Sequence, residues 1–191
     1  MCFDSIKFEE GPYAPVLHAY KDTENYITAG TGKNVDNPEI FKTIEWLDEN
    51  GKKLTFDEAL AERQRLEQAV PGKTANFYKD KSRLRISLET RDQLLKEHVL
   101  NDLKELKSKF PDFDELPPSA QDVLIDLQFN LGQGDFIKNN WPNLWDALSK
   151  KSFAEAAEQV NRKNKGLEQR NLWAKQKMQK AAEEYLQRNH K

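Results

Sequence analysis

Cysteine is almost missing from this chain: Cys2 stands alone among 191 residues. A single thiol excludes an internal disulfide and a thiolate metal cluster. Histidine is scarce as well. His18, His98 and His190 lie far apart and fit no HExxH-type spacing, so no histidine-based metal site is expected. Long apolar runs are absent. None approaches the ~20 residues needed to span a bilayer, so no membrane partner is expected. MCFDSIKFEEG (1–11) lacks the basic start and apolar stretch of a signal peptide. The expectation is therefore synthesis in the cytoplasm, with any passage elsewhere provided by other factors. A large charge of one sign is also missing. The net charge of -2 argues against a general nucleic-acid binder. KELKSKF (104–110) looks basic, but acidic residues flank it, and it reads as a solvated helix face.

What is present is 37% hydrophobic and 32% charged residues. That composition suits one core of ordinary size, or a core plus a small lobe, with a well-solvated surface. Residues 3–10 read as a short helix, with Phe3, Ile6 and Glu10 on one side and Gly11-Pro12 as its stop. Residues 16–32 read as extended, LHAY and YITAG flanking the turn chemistry of KDTEN. RLRISLE (83–89) alternates Leu84, Ile86 and Leu88 and is expected to supply a third strand.

The remaining patterned segments are helical. Residues 54–70 open with Thr55 and Glu58 in capping-box spacing and stop at Pro71-Gly72. Residues 88–109 place Leu95, Val99, Leu103 and Leu106 on one face. PPSAQDVLIDLQFNLGQG (117–134) carries a stripe of Ala120, Val123, Leu124, Leu127 and Leu131, with Ser119 as expected N-cap and Gly132 as expected C-cap. PNLWDAL and SFAEAAEQV are two short helices, the second with Ser152 and Glu155 in capping-box spacing. A long helix from about 167 to 186 offers Leu167, Trp173, Met178, Ala181 and Tyr185 for packing. Residues 34–83 are polar and aperiodic, and VPGKTANFYKDKSR reads as a surface loop. The expected class is α+β, mostly helical with a small antiparallel sheet.

The hairpin is where chemistry concentrates. Two carboxylates near one turn suit general acid–base work such as glycoside hydrolysis, where an acid protonates the leaving oxygen and a second carboxylate attacks or activates water. Glu10 precedes the Gly-Pro bend. Asp22 sits in a turn, where it stays ionised. The Thr28 hydroxyl can hold a water beside Asp22. Gly30 and Gly32 let a polymer lie close to the backbone. Each residue also has a plain reading: a solvated carboxylate, a turn-capping Asp, a strand Thr.

Taken together, Glu-Gly, Tyr-x-Asp and Tyr-x-Thr-x-Gly-x-Gly, seen in EG (10–11) and YKDTENYITAGTG (20–32), resemble the active-site pattern of phage-type lysozymes. These are the muramidases of glycoside hydrolase family 24, typified by the T-even phages. LIDLQFNLGQGDF (124–136), LWDALSKKSFAEAAEQV (144–160) and GLEQRNLWAKQ (166–176) are similar to later family segments. The resemblance covers roughly residues 3–33 and 84–180. It implies one lysozyme-like domain: a small β-containing lobe of about 12–90 with a polar insertion at about 34–83, and a helical lobe of about 91–191 plus the N-terminal helix. An interlobe cleft would take bacterial peptidoglycan. It implies inverting cleavage of the β-1,4 bond between N-acetylmuramic acid and N-acetylglucosamine. Glu10 then resembles the general acid, Asp22 the second carboxylate and Thr28 its water-positioning partner, with a carboxyl separation of ~6.5–9.5 Å. Arg170 resembles an arginine whose guanidinium approaches the catalytic Glu. Phe129, Asn130 and Gln159 resemble cleft and sugar-contacting residues, beside Gly30 and Gly32. No cofactor or metal is implied, and a monomer is expected.

Departures from the pattern are specific. About three extra residues separate Glu10 from Asp22, and Glu9 is an alternative acid. Lys33 stands where the family often has His, and the matching helix position is His98, so the family's interlobe ion pair is expected to be lost. Ala29 and Thr31 replace larger apolar residues. An endolysin, a tail-associated lysozyme and a secreted antibacterial effector, the last with a delivery machine or immunity protein as partner, all fit. Trp141 and Trp145 could face such a partner, although Trp at helical spacing is more often core. Two other readings stand beside this one: a lytic transglycosylase of the same fold, and a peptidoglycan-binding module without turnover.

Overall fold

A computed structural model describes residues 15–131, 136–163 and 167–189, with only the backbone of 130, 131, 136 and 137. The expected helix over 3–10, Glu10 and the expected Gly132 cap lie outside these residues. The described chain is mostly helical with a small three-stranded antiparallel sheet near its N-terminus, an α+β arrangement. It divides into two compact units inside one long helix, between His98 and Val99.

In the first unit, β1 (Tyr20–Lys21), β2 (Ile27–Ala29) and β3 (Lys33–Asn34) form a meander with β2 in the middle. Tyr20 faces Thr28 and Lys21 faces Ile27; Thr28 faces Asn34 and Ala29 faces Lys33. The third strand is therefore 33–34, not the expected 83–89. Leu84 and Ile86 are buried as their alternation implies. Residues 84–86, however, make only isolated bridges, Arg85 to His18 on one side and to Leu47 on the other. The ladder cannot lengthen, because helix begins at Leu88.

The polar segment 34–83 contains the expected helix over 54–70 and two further short ones, the second inside the expected surface loop 70–83. It holds α1 (Pro38–Thr43), α2 (Phe56–Glu67) and α3 (Ala75–Tyr78). Its Val35, Phe41, Ile44, Trp46, Ala59, Leu66 and Tyr78 make up more than half of the core cluster they share with Ala19, Ile27, Ala29, Leu84, Ile86 and Leu94. Tyr78, inside the expected surface loop, is fully buried. Few apolar residues spaced across short elements produce no period, yet they are large enough to build this core.

The α2 start is the expected one. Thr55 accepts from the Glu58 N–H while the Glu58 carboxylate accepts from the Thr55 N–H, a closed capping box. Its far end is held from the sheet: the buried Lys21 Nζ donates to the Glu67 carbonyl at 2.7 Å and to Ala69 at 3.3 Å. A cation at a helix C-terminus meets free carbonyls and the negative end of the dipole. Thr55→Ala is expected to lower stability by about 1 kcal/mol. Urea denaturation checks this; no change in midpoint would show that the box is idle.

α4 (Leu88–Lys109) buries Leu95, Val99, Leu103 and Leu106 as its period requires. The second unit adds α5 (Pro118–Leu131), α6 (Phe136–Asn140), α7 (Pro142–Ser149), α8 (Phe153–Gln159) and α9 (Glu168–Asn189). α9 packs on α8 and α5, and α7 on α8. Ala120, Val123, Leu124 and Leu127 are buried, with Ala174, Met178 and Ala181 from α9.

Two expected caps are not made. Ser119 lies inside α5 rather than at its cap. The Pro117 carbonyl takes the first helical bonds, and Ser119 gives its N–H and hydroxyl to Glu184 at 3.1 and 2.8 Å. Pro118 suits the first helical position, where a missing N–H costs nothing. Ser152 does occupy the α8 N-cap, but without a side-chain capping bond. Its ψ of 73° departs from the extended backbone that aims a capping oxygen inward. Trp145 packs its ring on Phe110 at 4.1 Å, and half-buried Trp141 donates to the Asn161 carbonyl.

Candidate functional site

The β1–β2 turn is organised by one side chain. Asp22 Oδ1 accepts from the Glu24 N–H at 3.0 Å and the Tyr26 N–H at 2.9 Å. The backbone closes the same turn, Asp22 N–H to the Tyr26 carbonyl at 2.9 Å and Asn25 N–H to the Asp22 carbonyl at 3.1 Å. Asn25 takes the left-handed conformation at φ 78°, which Asn tolerates better than most residues.

With Oδ1 so engaged, Oδ2 faces the returning strand. The Thr28 hydroxyl donates to it at 2.8 Å. Thr28 is 2% exposed, so its hydroxyl is held in place, while Asp22 is half-buried. A hydroxyl that donates to a carboxylate keeps its lone pairs as acceptors. The pair can therefore hold a water with one hydrogen on Thr28 and the other on Asp22, and Asp22 can take a proton from it.

The glycines differ. Gly30, at φ 60°, is buried; a Cβ there would meet Arg91 Cγ at 3.2 Å and Ile86 Cδ1 at 3.3 Å, so the close approach of α4 requires it. Gly32, at φ 89°, borders open space. Nearby, burial foremost and the charge of Asp22 in addition push the Tyr78 phenol up. Burial, then the charge of Lys33, holds the His98 imidazole below its usual value. Two basic groups in that place cannot pair with each other. His18, whose Nε2 sits 2.6 Å from the Ala75 carbonyl, is lowered chiefly by burial as well.

The other expected site residues belong to the second unit. Arg170, in the first turn of α9, donates Nε and Nη2 to Asp126 Oδ1 at 2.9 and 2.6 Å. Phe129 is half-buried on α5, and Asn130 follows it in the same helix. Gln159 ends α8 and accepts from Asn143 at 3.4 Å. Asp22 and Thr28 are thus in direct contact across the β1–β2 hairpin, Gly30 and Gly32 follow in the β2–β3 turn, and Arg170 is anchored to a carboxylate that the sequence reading missed. The signal for Asp126 was an acid inside the apolar run LIDLQF (124–129).

A surface pocket of about 610 Å³ lies in the inserted segment, lined by Arg65, Leu66, Gln68, Ala69, Asp80, Lys81 and Arg83. It contains none of the expected site residues. Arg65 pairs with Glu62 and Arg83 with Glu49, which offsets most of its positive charge. Among the described residues no cluster of three or more His, Cys, Asp or Glu could hold a metal, and no helix is long and apolar enough to cross a membrane. No protein-family model matches the chain, and no curated protein matches it significantly.

Proposed function

We propose that this chain is a peptidoglycan hydrolase, an inverting muramidase acting on the β-1,4 bond between N-acetylmuramic acid and N-acetylglucosamine. The observation that carries this reading is the 2.8 Å hydrogen bond from Thr28 to Asp22, with the other Asp22 oxygen fixed by two backbone amides. The resemblance of residues 10–11 and 20–32 to phage-type lysozymes supplies the substrate class. Glu10 protonates the glycosidic oxygen as its bond to C1 breaks. A water held by Thr28 gives a proton to Asp22 and its oxygen attacks C1 from the opposite face. The products are a new reducing end of inverted configuration and a free 4-hydroxyl. No cofactor enters these steps.

A lytic transglycosylase needs the acid but no carboxylate beside a held water, because a hydroxyl of the substrate itself attacks. The Asp22–Thr28 pair favours hydrolysis over that reaction, and over a module that only binds.

The test is turnover of purified peptidoglycan by this chain and by Glu10→Gln, with the products separated by mass. Reducing muropeptides from the wild type, lost in the variant by about 100-fold or more, are expected. Anhydro products would replace hydrolysis with transglycosylation. Binding without release would leave a recognition module.

A further inference from the structure

The sheet that carries Asp22 and Thr28 is very short. β1 and β3 have two residues each and β2 has three. Ladders of that length do not hold a fixed geometry alone; they need a packed face or a helix laid against them. The Asp22–Thr28 hydrogen bond crosses this hairpin, so its geometry depends on what holds the two strands.

What holds them is α2, the twelve-residue helix of the inserted segment, which packs on both β1 and β2. One tie reaches β1. Lys21, the residue before Asp22, is 7% exposed, and its ammonium donates to the Glu67 and Ala69 carbonyls at the end of α2. It has no carboxylate partner among the described residues. The other tie reaches β2. Asp36 Oδ1 accepts the N–H of Ile27, the residue before Thr28, at 3.3 Å. Arg63 of α2, 9% exposed, donates Nη2 to the Asp36 carbonyl at 2.6 Å, and its Nε lies 3.2 Å from Glu67 Oε1. Both ties converge on the last turn of α2. A buried ammonium that meets only carbonyls is a costly way to close a helix, where a glycine would serve. What it supplies is a fixed link between the helix and the strand position next to Asp22.

We infer that α2 is a clamp on the Asp22–Thr28 pair, with Lys21 and Arg63 as positioning residues, one for each strand. The kinetic part of this rests on the muramidase reading. Loosening either tie lets the strands shift, and a water is no longer held between Thr28 and Asp22. A misplacement of about 1 Å can cost up to about 100-fold in rate. The loss falls on kcat rather than KM, because both tie residues are buried and their removal leaves the glycan-facing surface as it was.

The experiment pairs kinetics with NMR on the full chain. It uses wild type, Lys21→Met, Arg63→Gln, Thr28→Val and each tie variant combined with Thr28→Val, folding being checked by circular dichroism. In Lys21→Met, kcat on soluble, uncross-linked peptidoglycan strands is expected to fall about tenfold, with KM within about twofold. No further loss is expected when Thr28 is already Val, because the tie acts through that hydroxyl. The Thr28 hydroxyl proton, buried and donated to Asp22, should give a resolved signal in the wild type that Lys21→Met loses. A full kcat, a retained signal, or losses that multiply with those of Thr28→Val overturn the inference. Should Lys21→Met not fold, Arg63→Gln carries the same three readouts from the other strand. A wild type that releases no sugar sinks the muramidase reading. The hydroxyl signal then decides the clamp by itself: its loss in the tie variants supports the clamp, and its retention overturns it.

Discussion

Asp22→Asn is expected to lower peptidoglycan turnover by about 100-fold or more while changing stability by less than about 1 kcal/mol. The two effects separate because the two oxygens have separate duties. Oδ1 accepts the Glu24 and Tyr26 amides, and an Asn carbonyl in the same place keeps both bonds. Oδ2 accepts the Thr28 hydroxyl. An amide nitrogen there cannot accept it and cannot take a proton from water. Asp22→Ala loses both duties and should also destabilise the turn by about 1 kcal/mol. Thermal melts and turnover on the same preparations check the pair. An Asn variant with full activity would reduce Asp22 to a turn cap.

Trp46→Ala is the second large effect, an expected loss of about 3–5 kcal/mol. Trp46 is 3% exposed, stacks on Phe41 at 4.8 Å and donates its indole N–H to the Phe41 carbonyl at 3.0 Å. Both belong to the core on which the sheet rests, together with Ile27 and Ala29 of β2. The strand that carries Thr28 therefore depends on the inserted segment for its footing. Urea denaturation measures the loss. A change below about 1 kcal/mol would make the segment a peripheral addition rather than the floor of the hairpin.

The long elements were legible because their signals repeat. Leu95, Val99, Leu103 and Leu106 recur at helical spacing over several turns, and the Thr55–Glu58 box needs only two residues at one offset. The hairpin was legible because KDTEN carries turn chemistry between two apolar runs. What the sequence hid is short or distant. α1 and α3 have six and four residues, too few to display a period. Asp126 pairs with Arg162 and Arg170, 36 and 44 positions away, which no local pattern reports. Ser152 has the spacing of a capping box but not the backbone angle, and spacing is all a sequence displays. Of the candidate site, Asp22 and Thr28 were readable as a pair, whereas the anchor of Arg170 was not.

The most direct measurement of the central claim is the configuration of the freshly released reducing end, followed by proton NMR during hydrolysis of soluble peptidoglycan strands in water enriched in oxygen-18. The account requires the α-anomer first, carrying one heavy oxygen at C1, because a water held between Thr28 and Asp22 attacks the face opposite the leaving sugar. A β-anomer first, an anhydro product without label, or no release at all would contradict it.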